Sequence, residues 1–167
     1  RSPNVSRPSN SCGGSTLNLA PDFDEFCALL SAHRAEFVIV GAHALAFHGA
    51  PRFTGDLDIL VARDDLPQVE ALLLSKGGWE WVKEDAYDDA YYRDHMHELP
   101  PLIHKERDRM IDVHHTILPR TSRLKPDPAL LLAAARPLED PGLHVLAPTD
   151  MVLHSLVHLF LEGDPVE

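Results

Sequence analysis

The run Asp56-Leu-Asp58-Ile-Leu-Val places two carboxylates two residues apart at the start of an apolar segment. The segment predicts a β-strand over 56–61, on which residues two apart point to the same face. Asp56 and Asp58 would lie side by side and repel each other unless a cation lies between them. Mg²⁺ meets this requirement, since its sites commonly combine one or two carboxylates with substrate phosphates. The alternative is that both aspartates simply face solvent where the strand begins.

A glycine and an arginine precede this pair. Residues Glu36–Val40 predict a buried strand that ends at Gly41, and the alanine-rich segment Ala42–Phe47 predicts a helix. A strand that leads into a helix leaves free backbone N–H groups at the helix start, which suit a phosphate tail. Arg52 has the side-chain chemistry to contact a triphosphate or an acceptor. A loop salt bridge to one of the acids explains Arg52 equally well.

A third carboxylate stands in the apolar segment Met110-Ile-Asp112-Val-His114, where an acid is locally out of place. The alternation over Arg109–Ile117 predicts a strand. If that strand lies beside the first two, Asp112 comes near the pair and could bind a metal and accept the proton of an attacking hydroxyl. The alternative is that Asp112 alternates outward to solvent. His114 shares its face with Asp112 and could line a nucleotide site or orient an acid.

In their order and spacing, Gly41, Asp56, Asp58 and Asp112 resemble the motifs of the nucleotidyltransferase superfamily, which has the DNA polymerase beta-like fold. In that superfamily a Gly-Gly or Gly-Ser turn precedes a helix, an acid-x-acid strand follows, and a third acid lies on a later strand. The sequence is most similar to the uncharacterised bacterial nucleotidyltransferase branch and its relatives among abortive-infection, type IV toxin-like enzymes. The segments that carry this similarity are Arg52–Val61, Asp112–His115, and Leu146–His154 with His158.

The resemblance implies an α/β (α+β) nucleotidyltransferase fold, in which a small mixed sheet is flanked by helices and followed by a helical C-terminal part. It implies a metal-dependent enzyme that moves a nucleoside monophosphate from an NTP, such as ATP, to a hydroxyl acceptor on a protein, an RNA or a small molecule. Mg²⁺ or Mn²⁺ would be the cofactor, and a cognate antitoxin is a further expected partner. The implied catalytic and metal-binding residues are Asp56, Asp58 and Asp112, and the implied nucleotide-binding residues are Gly41, Ala42, Arg52, Thr54 and His114.

One position departs from the family pattern. The second residue of the glycine turn is Ala42, so a serine hydroxyl to the phosphate is absent and the backbone has less freedom than with glycine. The backbone N–H donors remain, and we expect phosphate binding to be weakened or rearranged. Ala42 also favours an alternative function, a non-catalytic nucleotide-binding or antitoxin-like partner with the same fold. The three retained acids argue against that alternative.

The chain has 11 histidines among its 167 residues, which raises a third hypothesis, a histidine-rich metal-binding module. His154 and His158 are four apart on one predicted helix face, with Glu162 next in step, a spacing that can bind zinc. The same face carries apolar residues such as Met151, which favours a helix that packs in the core. His114 is the histidine best placed for the chemistry of the acids, and we expect most of the others to pack or to face solvent.

The elements that would position these residues alternate between strands and helices, which is typical of an α/β sheet. Further helices are predicted over Asp22–Ala35, Leu66–Ser75, Pro126–Ala135 and Pro148–Leu161, and a short strand over Trp79–Val82. Residues 84–98 are acidic and receive no element. We expect a disordered leader over 1–20, a catalytic domain over 21–122 and a helical part over 123–167 that is cut short.

Charge and cysteine content set limits on the function. With 15 basic and 26 acidic residues the net charge is −11, which excludes a broad nucleic-acid-binding surface because phosphate binding needs clustered Lys and Arg. A small metal and phosphate site is compatible with that charge. The two cysteines, Cys12 and Cys27, do not make a disulfide framework, so we expect a reducing compartment, the cytoplasm. The longest apolar segments fall short of the ~20 residues that span a bilayer, and we expect no membrane association.

Overall fold

A computed structural model describes residue 17, residues 19–82 and residues 86–162. Most of the predicted leader with Cys12, the acidic residues Glu84 and Asp85, and residues 163–167 lie outside the described residues. The described helices are α1 (Pro21–Ala32), α2 (Gly41–Phe47), α3 (Leu66–Leu72), α4 (Ala86–His95), α5 (Pro128–Ala134) and α6 (Pro148–Glu162). The described strands are β1 (Phe37–Ile39), β2 (Asp56–Val61), β3 (Trp79–Trp81), β4 (Leu102–His104), β5 (Met110–His114), β6 (Arg136–Pro137) and β7 (His144–Val145).

The strands form one mixed sheet in the order β3-β4-β5-β2-β1-β7-β6. The central strands β2 and β5 are parallel, and their register runs from Asp56 opposite Met110 to Leu60 opposite His114. On the two sides of this pair, β1 is antiparallel to β2 and β4 is antiparallel to β5. Apart from its two acids, β2 is fully buried, as expected of a central strand with an unbroken apolar run. The mixed sheet and its helices confirm the predicted α/β fold.

One face of the central strands closes the hydrophobic core. Leu57 and Ile59 of β2 are completely buried and belong to the same cluster as Phe26 of α1 and Val69 of α3. The ring of Phe26 also meets the edge of Trp79 at a centroid distance of 5.9 Å, which joins α1 to strand β3. Because side chains alternate along a strand, Asp56 and Asp58 point away from this core.

Helix α4 falls in the acidic stretch to which the sequence assigned no element, so that interpretation was wrong. The helix is held by Arg93, whose guanidinium donates to both carboxylate oxygens of Glu70 at 2.7 and 2.9 Å and to Asp89 at 2.9 Å. The same guanidinium lies 5.5 Å from the ring centroid of Trp81. Contacts to α3 and β3 therefore stabilise a helix whose sequence is too polar to show the apolar repeat of an amphipathic helix.

Three strands were also missed. β4 has three residues, and β6 and β7 have two each, which is too short for a periodic signal. β7 pairs in parallel with β1, so the segment 123–167 contributes two short strands as well as helices α5 and α6. Leu19, at the end of the predicted leader, is buried in the core. Within the described residues, no helix is both long enough and apolar enough to cross a membrane.

Two predicted helices end earlier than expected. Helix α1 stops at Ala32, because Arg34 turns the chain with a φ of +58°. Helix α3 ends at Leu72, and the chain then forms a π-helical turn over Leu73–Gly77. Gly78 then adopts the left-handed conformation that ends the turn and starts β3.

Candidate active site

Three carboxylates lie on one face of the central strands. In the parallel pairing of β2 with β5, Asp58 is the direct partner of Asp112, and Asp56 precedes Asp58 by two residues on the same face. Neighbouring strands are about 4.8 Å apart, so the three side chains project from one small area. They line a cavity of about 710 Å³ that also includes Gly41, Arg52 and several residues of α6. Five of the eight predicted site residues therefore share one cavity.

Gly41 allows the backbone to approach Asp58 closely. Its φ is +58°, which disfavours residues with a side chain. A Cβ at this position would lie 2.5 Å from Asp58 Cγ and 2.9 Å from Asp58 Cβ, well inside van der Waals contact. The preceding residue, Val40, donates its backbone N–H to the carbonyl oxygen of Asp58 at 3.0 Å. Both the conformation and the space at position 41 thus require glycine.

The other predicted nucleotide-binding residues occupy different places around the cavity. The Thr54 hydroxyl donates a hydrogen bond to the carboxylate of Asp56 and so orients it. Arg52 is exposed at the rim and makes no ion pair with a described residue, so the salt-bridge alternative does not hold in the part of the chain that the structure covers. Ala42 is 1 % exposed and does not line the cavity. Its side chain is therefore not placed to touch a bound phosphate.

Asp58 and His114 form a buried pair beneath the cavity. The imidazole of His114 is 0 % exposed, and its Nε2–H donates to Asp58 Oδ1 at 3.3 Å. Burial alone would raise the pKa of Asp58, but the hydrogen bond and charge of His114 hold it below its usual value. Burial alone would lower the pKa of His114, and the same hydrogen bond raises it. Both shifts favour a carboxylate paired with an imidazolium.

The pKa of Asp112 shifts in the opposite direction from that of Asp58. Burial, together with the negative charges of Asp58 and Glu98, raises the pKa of Asp112 to about 7. Near neutral pH Asp112 can therefore exchange a proton while Asp58 stays ionised. Two neighbouring carboxyl groups whose pKa values are pushed apart are a common arrangement for acid–base chemistry.

The donor set of the cavity fits a hard divalent cation. Among its described lining residues are four carboxylates, those of Asp56, Asp58, Glu98 and Asp112, and one permanently charged cation, Arg52. Burial is the largest cause of the raised pKa of Asp112, and the neighbouring negative charges add to it. Mg²⁺ is typically held by such carboxylates together with phosphate oxygens and water.

Glu98 and the histidines around His114 were not predicted as part of the site. The ring centroids of His97, His154 and His158 lie 5.3, 5.4 and 5.5 Å from that of His114. Burial and the charge of His114 lower the pKa of His97 to about 3, so its imidazole is neutral. The four-residue spacing of His154 and His158 was visible in the sequence. The antiparallel β-bridge between Glu98 and His114, which brings His97 close to them, could not be seen in the sequence, because it pairs two separate segments of the chain.

The fold belongs to the nucleotidyltransferase class. A crystal structure of a candidate nucleotidyltransferase from Thermotoga maritima superposes with a TM-score of 0.59 over 84% of this chain and 84% of that chain, at 18% sequence identity. The structure of ANT(2″)-Ia in complex with adenylyl-2″-tobramycin matches 84% of this chain and 87% of that chain, with a TM-score of 0.48 and 10% identity. The first of these similarities establishes the fold.

The family is defined by sequence. Residues 21–165 match the family described as "Uncharacterised nucleotidyltransferase", and the chain belongs to this family. The match covers nearly all the described residues, from the start of α1 to beyond the end of α6. No curated protein matches the chain. The resemblance inferred from the motifs is thereby confirmed at the level of the superfamily.

Proposed function

We propose that the protein is a metal-dependent nucleotidyltransferase that moves a nucleoside monophosphate from an NTP to a hydroxyl acceptor and releases pyrophosphate. The observation that carries the proposal is the pairing of Asp58 with Asp112 across two parallel strands, beside Asp56, on a face that lines a cavity of about 710 Å³. That volume lies within the roughly 300–1,000 Å³ typical of small-molecule sites. Family membership supports nucleotidyl transfer as the class of reaction.

The binding half of the site would consist of Asp56, Asp58, Gly41 and Arg52. The two aspartates hold the cation that accompanies the triphosphate, with Asp56 oriented by the Thr54 hydroxyl. Mg²⁺ or Mn²⁺, when bound, neutralises phosphate charge and makes the α-phosphorus more electrophilic. Gly41 lets the backbone pack closely against Asp58, and Arg52 contacts the triphosphate from the rim.

The reacting half would depend on Asp112. The acceptor oxygen attacks the α-phosphorus, its proton passes to the carboxylate of Asp112, and the bond from the α-phosphorus to the bridging oxygen breaks, so that pyrophosphate leaves. Without a metal, burial and the neighbouring carboxylates raise the pKa of Asp112 to about 7, and a cation at Asp56 and Asp58 would lower it, which would leave Asp112 ionised and able to accept the proton. Asp58 stays ionised throughout because His114 donates a hydrogen bond to it.

The test uses each NTP labelled at the α-phosphate, with Mg²⁺ or Mn²⁺ and separate pools of cellular protein, RNA and small molecules. We expect pyrophosphate release and transfer of label into one pool, and loss of both in Asp56→Asn/Asp58→Asn. A matched control is Asp64→Asn/Asp65→Asn, which removes two charges from the turn that follows the same strand, outside the cavity. Equal activity in the two double variants would overturn the proposed site.

A second candidate is a non-catalytic nucleotide-binding protein of the same fold. Ala42 favours it, because neither a hydroxyl nor a glycine stands at the second position of the turn and the alanine side chain is buried away from the cavity. The same experiment separates the two functions. NTP binding without pyrophosphate release, in every acceptor pool, would support the binding protein and contradict the enzyme.

A further inference from the structure

A cluster of histidines lies next to the carboxylates but is not used by the proposed reaction. His97 precedes the bridge to β5, His114 ends β5, and His158 lies on α6. One ring nitrogen of each lies within 4.8 Å of those of the other two. Three segments of the chain thus bring imidazole nitrogens close to one another.

Two of these histidines have nitrogen atoms without hydrogen-bond partners. Both ring nitrogens of His97 and the Nδ1 of His114 are buried, and no described residue hydrogen-bonds to them. A buried polar atom without a partner carries a desolvation cost of about 1–3 kcal/mol, and native proteins seldom leave several together. A metal ion would give these nitrogens a partner, by accepting a lone pair from His97 and, once it has displaced the Nδ1 proton, from His114.

A carboxylate lies beside two of these histidines. Glu98 Oε2 lies 3.6 Å from His97 Nε2 and 3.6 Å from His114 Nδ1. Two ligand atoms of a tetrahedral zinc site are about 3.3 Å apart when each bond is about 2.0–2.1 Å long. The two Glu98 separations are close to this value, whereas the imidazole nitrogens, which lie within 4.8 Å of one another, must draw together on the ion. Glu98 and His158 also line the cavity, which provides a path for the ion to enter.

We propose that His97, His114 and His158, with Glu98 as the fourth ligand, form a binding site for a transition-metal ion of the Zn²⁺ type, distinct from the Mg²⁺ site at the aspartates. Imidazole nitrogens with one carboxylate suit zinc, whereas sites for Mg²⁺ are built from oxygen ligands. The proposal concerns metal binding alone and does not rest on nucleotidyl transfer.

The two sites would be joined through one side chain. His114 directs Nδ1 toward Glu98 and donates Nε2–H to Asp58 Oδ1 at 3.3 Å. A ligating histidine that donates its other ring N–H to a carboxylate is a recurrent arrangement, which fixes the ring and its partner. Asp58 would then be a positioning partner of the histidine site as well as a member of the carboxylate cluster.

The test measures zinc bound by the tag-free full chain after incubation with Zn²⁺ alone and gel filtration in metal-free buffer. We expect about one zinc per chain. The affinity should fall at least about tenfold in His97→Asn and in His158→Asn. The control is His115→Asn, because His115 is equally buried but lies just past the end of β5 and outside this group of three histidines. A further control, Asp56→Asn/Asp112→Asn, should keep the zinc.

X-ray absorption at the zinc edge of the unaltered chain provides a measurement that does not depend on any variant. We expect the multiple-scattering pattern of about three imidazole ligands. Oxygen-only coordination, no zinc on the folded chain, or equal binding by His97→Asn, His158→Asn and His115→Asn would each overturn the proposal. None of these results would affect the pyrophosphate-release test, so the two proposals fail independently.

Discussion

Replacing Gly41 with alanine should separate the effect of backbone strain from the effect of crowding at Asp58. The added Cβ would lie 2.5 Å from Asp58 Cγ, whereas ordinary contact between carbon atoms is about 3.5–4.0 Å. The carboxylate or the start of α2 must therefore shift by about 1 Å. Displacement of a reacting group by 1 Å can cost about 100-fold in rate, which equals about 2.7 kcal/mol of activation free energy.

The matched control is Gly49→Ala. Gly49 also has a positive φ, +90°, but no atom lies within 4 Å of the Cβ that alanine would add. Both variants should lose about 1–2 kcal/mol of unfolding free energy, because both place a side chain in a disfavoured backbone region. Gly41→Ala should lose more, because crowding against Asp58 adds to this cost. Gly41→Ala alone should lose about 100-fold in the kcat of pyrophosphate release.

The two quantities are measured separately, by urea denaturation and by steady-state kinetics of the folded protein. If Gly41→Ala keeps its kcat, close packing of the backbone on Asp58 is not needed for the reaction. If kcat falls to the same extent in Gly49→Ala, the loss reflects general destabilisation and is not caused by displacement of the Asp58 carboxylate. Either result would refute the reasoning that connects Gly41 to catalysis through Asp58.

Three further changes test other parts of the structure. In the presence of a chelator, Asp112→Asn should be more stable than the unaltered chain above pH 7. The pKa of Asp112 is about 7 in the folded state and 3.8 ordinarily, so the unaltered chain loses at most about 4 kcal/mol of unfolding free energy as the pH rises from about 4 to 7. Urea denaturation at several pH values would measure this loss. Arg52→Ala should raise KM for the NTP by roughly tenfold or more without changing the urea midpoint, since the side chain is exposed and would contribute charge-assisted hydrogen bonds; an unchanged KM would remove Arg52 from the site. Arg93→Lys should lose about 0.5–1 kcal/mol of unfolding free energy, nearly as much as Arg93→Ala, because lysine cannot donate to both oxygens of Glu70. Full retention of stability by the lysine variant would show that the two hydrogen bonds to Glu70 do not stabilise helix α4.

The carboxylate face could be predicted because it depends on local alternation. Asp56 and Asp58 interrupt an apolar strand at a period of two, and Asp112 does the same in β5, so strand geometry alone assigns each acid to a face. That β5 lies beside β2, in parallel and in the register that pairs Asp58 with Asp112, is a long-range property. The alternation of side chains along one segment carries no information about its neighbour, so the sequence analysis could state this pairing only as a condition.

The elements that were missed depend on contacts between distant parts of the chain. Helix α4 has a polar sequence and is fixed by one guanidinium that reaches Glu70, which is 23 residues away, and the ring of Trp81. Strands β6 and β7 are two residues long and exist because they pair with each other and with β1. Their side chains show no pattern of their own, so tertiary pairing decides their structure.

The division of roles between the two central aspartates could not be predicted for a related reason. As sequence patterns, Asp58 and Asp112 are equivalent acids in apolar strands, and the structure pairs them directly. Their pKa values nevertheless shift in opposite directions, because His114, 56 residues from Asp58, donates to Asp58, while no described residue donates a hydrogen bond to Asp112. Burial acts on both carboxyl groups, but one imidazolium offsets it at Asp58, whereas at Asp112 the charges of Asp58 and Glu98 add to it. A site with a permanent anion for a cation and a titrating carboxyl for a proton therefore arises from the direction of a single N–H bond.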